Sequence, residues 1–295
     1  MAASSNHTLP AIIGLMPRDA MYAALAAAAA LAGCGADAGA GDGAPSAASP
    51  VAKAPRALPG PTAQRAAVAR LARLGRPVYC GGGKRRLVAL TFDDGPGPYT
   101  PIILRQLDGA GARATFFLVG RSIQSFPQLP RLQRERHAIG DHSMTHANLP
   151  TLAPAAAKAE IAGGKAAALQ AAGEPVDLFR PPYGSRTKAL DREVGRQGMA
   201  QILWDVNSKD SRNTPPAGFH EISARVRTDA RPGSIVLMHE NRGQTARALR
   251  SILPALKRRH LKLVTVPELL AADPPSKAQL AMGATGCEAG SAARR

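Results

Sequence analysis

The chain has 295 residues, 45% of them hydrophobic, enough to bury a core in one large or two ordinary domains. Its 38 basic residues against 21 acidic ones give a net charge of +17, a balance that favours anionic partners. Aromatic residues make up only 4% and no basic block is interleaved with stacking rings, which argues against nucleic-acid binding. The three cysteines, Cys34, Cys80 and Cys287, form no C-x-x-C pair, which argues against a thiolate zinc site.

In chain order, Arg18 precedes an apolar run over 20–31 that is too short to span a bilayer and has the length of a signal-peptide core. It ends in Leu31-Ala32-Gly33-Cys34, which resembles the lipobox of bacterial lipoproteins, whose Cys becomes the lipidated first residue. Residues 1–34 therefore read as an export signal, with Cys34 anchoring the protein to the outer face of the cytoplasmic membrane or, failing that, a secreted chain. Met16 makes a more natural start than Met1. The alternative is an Ala-rich helix or linker with an unrelated Cys. Residues 35–75, rich in Ala, Gly, Pro and Ser, read as a flexible tether with a weakly helical stretch over 62–74.

The segment 76–272 reads as one domain, and 273–295 as a tail. Strand-like runs fall at 87–92, 114–119, 137–143, 178–180, 200–206, 234–240 and 261–266, with helical patterns at 154–172, 187–197, 219–230 and 245–260. Such alternation predicts α/β architecture: a distorted (β/α) barrel of about seven parallel strands, its chemistry at the strand C-termini. An open doubly wound sheet is the second choice.

The strand ends carry the candidate site. After 87–92 comes Asp93-Asp94-Gly95-Pro96, two carboxylates where a buried strand opens into a loop. Side chains of neighbours on an extended backbone point opposite ways, so one is expected to bind metal and the other to handle a proton. A capped turn is the plain alternative. The third strand runs into His142-Ser143-Met144-Thr145-His146, two histidines four apart on one face of a helical turn. With a carboxylate they make a facial set suited to zinc or another divalent metal. Arg180 precedes Pro181-Pro182-Tyr183-Gly184, and an Arg facing the same mouth would hold a carboxylate ionised. Its alternative is a surface Arg beside a Pro-rich turn. Leu237-Met238-His239 adds a third histidine, and the run from Trp204 to Asp210 a supporting carboxylate.

Thr91-Phe92-Asp93-Asp94-Gly95-Pro96, His142-Ser143-x-x-His146, Arg180-Pro181-Pro182-Tyr183-Gly184 and Leu237-Met238-His239 resemble, in order, the signature motifs of carbohydrate esterase family 4, the polysaccharide deacetylases of the NodB homology domain. The resemblance implies hydrolysis of N-acetyl groups on a cell-envelope polysaccharide, peptidoglycan or a chitin-type oligomer, with release of acetate. An O-acetyl xylan esterase and a catalytically silent glycan-binding homologue are the alternatives. It further implies Asp94, His142 and His146 as ligands of one divalent metal ion, zinc first and cobalt, nickel or manganese as alternatives. Asp93 becomes the general base steadied by Arg180, and His239 the general acid oriented by Asp210. Tyr183 offers a backbone N–H to the oxyanion, with Pro182 and Leu237 beside it at the substrate. The usual fourth motif, Asp-x-x-Asp-Trp, reads here Asn207-Ser208-Lys209-Asp210-Ser211, so the groove-lining aromatic is missing, which bears on substrate choice. The partners expected are an acetylated polysaccharide and, through lipid, the membrane; no nucleic acid is expected, and the chain should be a monomer. In a closed barrel the chain ends approach each other, so Cys80 and Cys287 are expected to pair in an oxidising compartment. Two unpaired thiols on loose ends are the alternative.

Overall fold

The structure, a computed structural model, describes residues 57–287 except 214, so Cys34, the signal-like run and most of the tether lie outside the described residues. The run Leu87–Gly95 (β1) lies buried almost along its whole length and pairs along both edges, so it became the centre of the sheet. Ala114–Leu118 (β2), Ala138–Asp141 (β3), Leu178–Phe179 (β4) and Ala200–Gln201 (β5) follow on one side, and Ile235–His239 (β7) and Val206–Asn207 (β6) on the other. All seven are parallel, in the order β5-β4-β3-β2-β1-β7-β6, and form a curled half-barrel. A short Lys262–Leu263 (β8) pairs with the start of β1. Parallel strands need crossovers, and these are helical: Thr100–Gly109 (α2), the short Gly120–Ser125 (α3) and Leu129–Arg134 (α4), Pro154–Ala172 (α5), Lys188–Arg196 (α6), Phe219–Asp229 (α7) and Gly243–Arg258 (α8).

Helix boundaries follow local chemistry. Thr187 accepts from the Leu190 N–H at the start of α6, and α5 stops at Gly173, whose φ of 74° suits a residue without Cβ. The main core lies between β1, β2, β7 and the helices outside them, with Phe92 and Phe116 stacked at 5.2 Å.

Three expectations are corrected. The run 200–206 is not one strand. β5 pairs with β4 and stops at Gln201, because the carbonyls of Ile202 and Leu203 turn to the Arg180 guanidinium; β6 then pairs with β7 on the far edge. The last part of the expected tether forms Pro61–Ala72 (α1), whose Val68, Leu71 and Ala72 pack with Leu269 and Leu270 of Val266–Ala272 (α9). The weakly helical stretch expected over 62–74 is thus a helix, as its Ala, Arg, Gln and Leu content favours, and what differs from a tether is its packing on an apolar surface. Residues expected to be tail also fold back: the Gly82 N–H donates to the Asp273 carbonyl and the Arg85 N–H to its carboxylate, and Lys277–Met282 (α10) follows.

Cys80 and Cys287 form a disulfide with Cα atoms 6.0 Å apart across 207 residues of sequence. Closing a loop that long stabilises by about 5 kcal/mol in the chain-entropy model. Cys287→Ser, or reduction, should therefore lower unfolding stability by up to that amount in denaturant titrations. Equal stability with and without reductant would show that packing alone holds the ends.

Candidate active site

All site residues come from strand C-termini and the loops after them, and the backbone there is unusual. Among the described residues six non-glycines have positive φ, and Asp94 (69°), Ser143 (64°), His146 (64°) and Tyr183 (62°) are four of them. Such residues cost of order 1–3 kcal/mol each and cluster where geometry serves function. At Asp94 the β1–β2 register shifts between Asp93 and Gly95, so the simple alternation expected from an extended strand fails. Both carboxylates instead approach one imidazole: the His142 Nε2 lies 3.8 Å from Asp93 Oδ2 and 3.5 Å from Asp94 Oδ1. The histidines, expected on a helical turn, sit in an irregular loop after β3. Its positive φ angles at Ser143 and His146 achieve what helical spacing was expected to do.

Asp93 is buried and accepts a 2.8 Å bond from Nη1 of Arg180, which is itself fully buried. The same Nη1 donates to Thr91 Oγ1 at 2.7 Å, while Nε and Nη2 donate to the carbonyls of Ile202 and Leu203, each at 3.1 Å. The guanidinium lies 4.2 Å over the Phe117 ring. A planar fork with fixed donors is what such a site requires.

Asp94, His142 and His146 each present one ligand atom, and these atoms lie within 4.8 Å of one another. Asp94 Oδ1 is buried with no hydrogen-bond partner, 3.1 Å from His146 Nε2. The His142 Nδ1 is 2.7 Å from the Arg180 carbonyl, a pure acceptor, so Nδ1 carries the proton and Nε2 keeps a lone pair. His146 Nδ1 lies 3.2 Å from the Tyr183 hydroxyl. Asp94 Oδ1 and the Nε2 atoms of the two histidines thus converge on one point, a donor set that fits a divalent metal. Burial opposes charge on Asp94, yet the two histidines hold its carboxyl well below the usual carboxylate range.

On the other side His239, at the end of β7, has Nδ1 2.7 Å from Asp210 Oδ1. Asp210 Oδ2 accepts from the His239 N–H at 2.7 Å and from Thr245 Oγ1 at 2.6 Å. Burial works against the imidazolium, but the Asp210 carboxylate outweighs it and pushes the ring up to about 9. Asp210 is correspondingly lowered despite its burial. Tyr183 is exposed above a buried Pro182, and among the described residues its backbone N–H has no acceptor. Leu237 is buried in β7. In the altered fourth motif Asn207 serves its own turn, accepting from the Lys209 N–H, and Ser211 is exposed.

Sequence reasoning missed Thr91, Thr245, Asn241 and Glu240. Asn241 Nδ2 donates to Asp94 Oδ2 at 3.2 Å. Glu240 is buried, bonded to Thr100 and Gln133, and pushed up to about 8 by desolvation. It packs so closely on Gly95 that a Cβ there would sit 1.6 Å from its carboxylate. Only adjacency to Asp94 and His239 hinted at these residues.

The model for the family described as polysaccharide deacetylase matches residues 81–202. A peptidoglycan-N-acetylglucosamine deacetylase of Bacillus cereus is 37% identical over 190 residues, covering 63% of this chain and 88% of the relative. A chitooligosaccharide deacetylase of Bradyrhizobium is 34% identical over 201 residues, covering 62% of this chain and 90% of the relative. A crystallised peptidoglycan N-acetylglucosamine deacetylase superposes with a TM-score of 0.63 at 30% identity, over 68% of this chain and 94% of that one.

The His239–Asp210 pair gives a pH prediction. A raised native pKa contributes stability that is fully present below the unfolded value of about 6.5 and is lost as pH rises through about 9. Asp210→Asn should lower the His239 titration point in NMR of the metal-free protein, and its stability deficit should shrink above pH 9. An unshifted His239 would remove Asp210 from this role.

Proposed function

The chain belongs to the polysaccharide deacetylase family, and on that premise we propose that it hydrolyses N-acetyl groups of a cell-envelope glycan, peptidoglycan first and chitin-type oligomers second. The observation that carries the reading is one mouth holding a carboxylate fixed by a buried Arg, a three-ligand metal set, and a histidine charged by its own carboxylate. Nothing in that set is missing or blocked, which supports an active enzyme over a silent binding homologue. The two relatives are by name deacetylases of peptidoglycan N-acetylglucosamine and of chitooligosaccharides, which favours amide hydrolysis over xylan esterase activity.

When bound at Asp94, His142 and His146, a divalent ion, zinc in our reading, supplies Lewis acidity toward the amide carbonyl and acidifies water. Asp93 takes the proton of the attacking water. Arg180 aims Asp93 through the bond from its buried Nη1, because the guanidinium is a rigid fork that does not give up its charge. The Tyr183 N–H points a dipole at the oxygen that gains charge in the tetrahedral transition state. His239, kept protonated at neutral pH by the neighbouring Asp210 carboxylate, then hands its proton to the departing amine nitrogen. The amine leaves neutral, the acetic acid formed gives its remaining proton to solvent and departs as acetate, and Asp93 passes its proton back to His239 before the next turnover.

Lipidation at Cys34, export, zinc as the native ion, and a monomeric state belong to this reading. Acetate release from peptidoglycan, chitooligosaccharides and acetyl-xylan, measured in parallel with and without chelator, tests it. Release should occur from the first two, stop on chelation and return with zinc. Full activity after metal depletion, with no metal bound, would overturn the metal assignment.

The division of labour makes a second prediction. Asp94→Ala should lose metal. Asp93→Asn should retain metal yet lose about 10²-fold or more in kcat, as should His239→Ala. Metal content by elemental analysis separates the two classes, and wild-type kcat in Asp93→Asn would exclude it as the base.

A further inference from the structure

Between Glu240 and Glu268 the chain contains no acidic residue and seven Arg or Lys. Most of that stretch is α8, which turns Leu249, Ile252, Leu253 and Leu256 into the core. Arg247, Arg250, Lys257 and Arg258 are exposed, at spacings that put them on the opposite face. Among the described residues none of these four, nor Arg242, makes an ion pair, whereas Arg186 and Arg196 pair with Asp191 and Glu193, and Arg212 and Arg225 with Glu221. The stripe begins at the mouth. Arg242 follows His239 by three positions, its Nη1 bonds Asn213 at 3.2 Å, and its buried Nε has no partner. Arg247 is held 4.5 Å over the Phe219 ring. At 1.5 Å per residue the stripe then runs about 24 Å away from the site.

A second acid-free basic stretch includes α1, but it is placed elsewhere. α1 shares a cavity with Ala138, Leu178 and Lys262, the first residues of β3, β4 and β8, and so lies at the end of the strands away from the site. Of these two stretches, the α8 stripe is the one continuous with the mouth.

We propose that the outer face of α8 is a docking track for carboxylates carried by the substrate glycan beyond the sugar being deacetylated. This rests on the reading that the site acts on a wall polymer. Unpaired cations in a row attract a polyanion strongly at low salt and release it as salt screens them. A bilayer fits the face less well. Its apolar side is already spent on the core, and none of the exposed large apolar residues, Leu74, Tyr99, Leu132, Leu169, Tyr183 and Met282, lies on α7 or α8.

The test compares the wild type with the fourfold variant Arg247→Gln, Arg250→Gln, Lys257→Gln, Arg258→Gln. Substrates are soluble peptidoglycan fragments bearing acidic peptides and neutral chitooligosaccharides of equal length, at low and physiological salt. The variant should raise KM for the acidic fragments about tenfold at low salt and lose its salt dependence there. KM for the neutral oligomer should not move, and an unchanged melting temperature shows an intact fold. Equal KM changes on both substrates, or none, overturn the proposal. Co-sedimentation with whole acidic peptidoglycan, measured alongside, reads docking even if no substrate is turned over. Loss of binding there would keep the track while the deacetylase reading fell. A variant that loses only its binding to phosphatidylglycerol vesicles would reassign the face to the membrane and overturn the track.

Discussion

A single buried cation holds the site together. Arg180 has no exposed surface, and its guanidinium reaches Thr91 and Asp93 of β1 and the carbonyls of Ile202 and Leu203 after β5. Its backbone carbonyl fixes the His142 ring, and its N–H donates to the Asp141 carbonyl at the end of β3. Burying a charge costs several kcal/mol, recovered only when the geometry is good and the donors are satisfied. Here four hydrogen bonds and the face of Phe117 meet that condition. Removing the guanidinium would strand Asp93 as an uncompensated buried charge, a loss of about 3–5 kcal/mol. The same residue therefore ties three strands together and, in the proposed mechanism, singles out Asp93 rather than Asp94 as the base.

That choice explains the distortions around it. Strand β1 breaks its register at Asp94, and run 200–206 leaves its ladder with β4 after Gln201, where the Ile202 and Leu203 carbonyls face Arg180. The positive φ angles at Asp94, Ser143, His146 and Tyr183 fall in three separate loops that meet at one mouth. A regular barrel would present Asp93 and Asp94 to opposite sides. The irregular one presents them to the same imidazole with different partners.

How far the sequence revealed this depends on the range of the interaction. The βα alternation is a local pattern, and the strand and helix positions follow it closely, as with α5 at 154–172. The residue types at the strand ends carry the resemblance to a known family, so the membership of the site was legible as well. What was not legible is set by contacts distant in sequence. Asn241 reaches Asp94 across 147 positions, Thr91 reaches Arg180 across 89, and Thr245 supports Asp210 across 35. No periodicity marks such pairs. The bulge at Asp94 is invisible for another reason, since an Asp before Gly-Pro reads as an ordinary turn. The packing of α1 was hidden because Ala-rich composition looks like a linker until its partner, α9, is known.

The central claim is that Arg180 reserves Asp93 for proton transfer and leaves Asp94 as the carboxylate of the metal set. Anomalous diffraction from zinc-loaded crystals, collected on both sides of the absorption edge, tests it most directly. The account predicts one peak within coordination distance of Asp94 Oδ1, His142 Nε2 and His146 Nε2, with the Arg180–Asp93 bond unbroken. A peak coordinated by Asp93, or one lying away from these histidines, would contradict it.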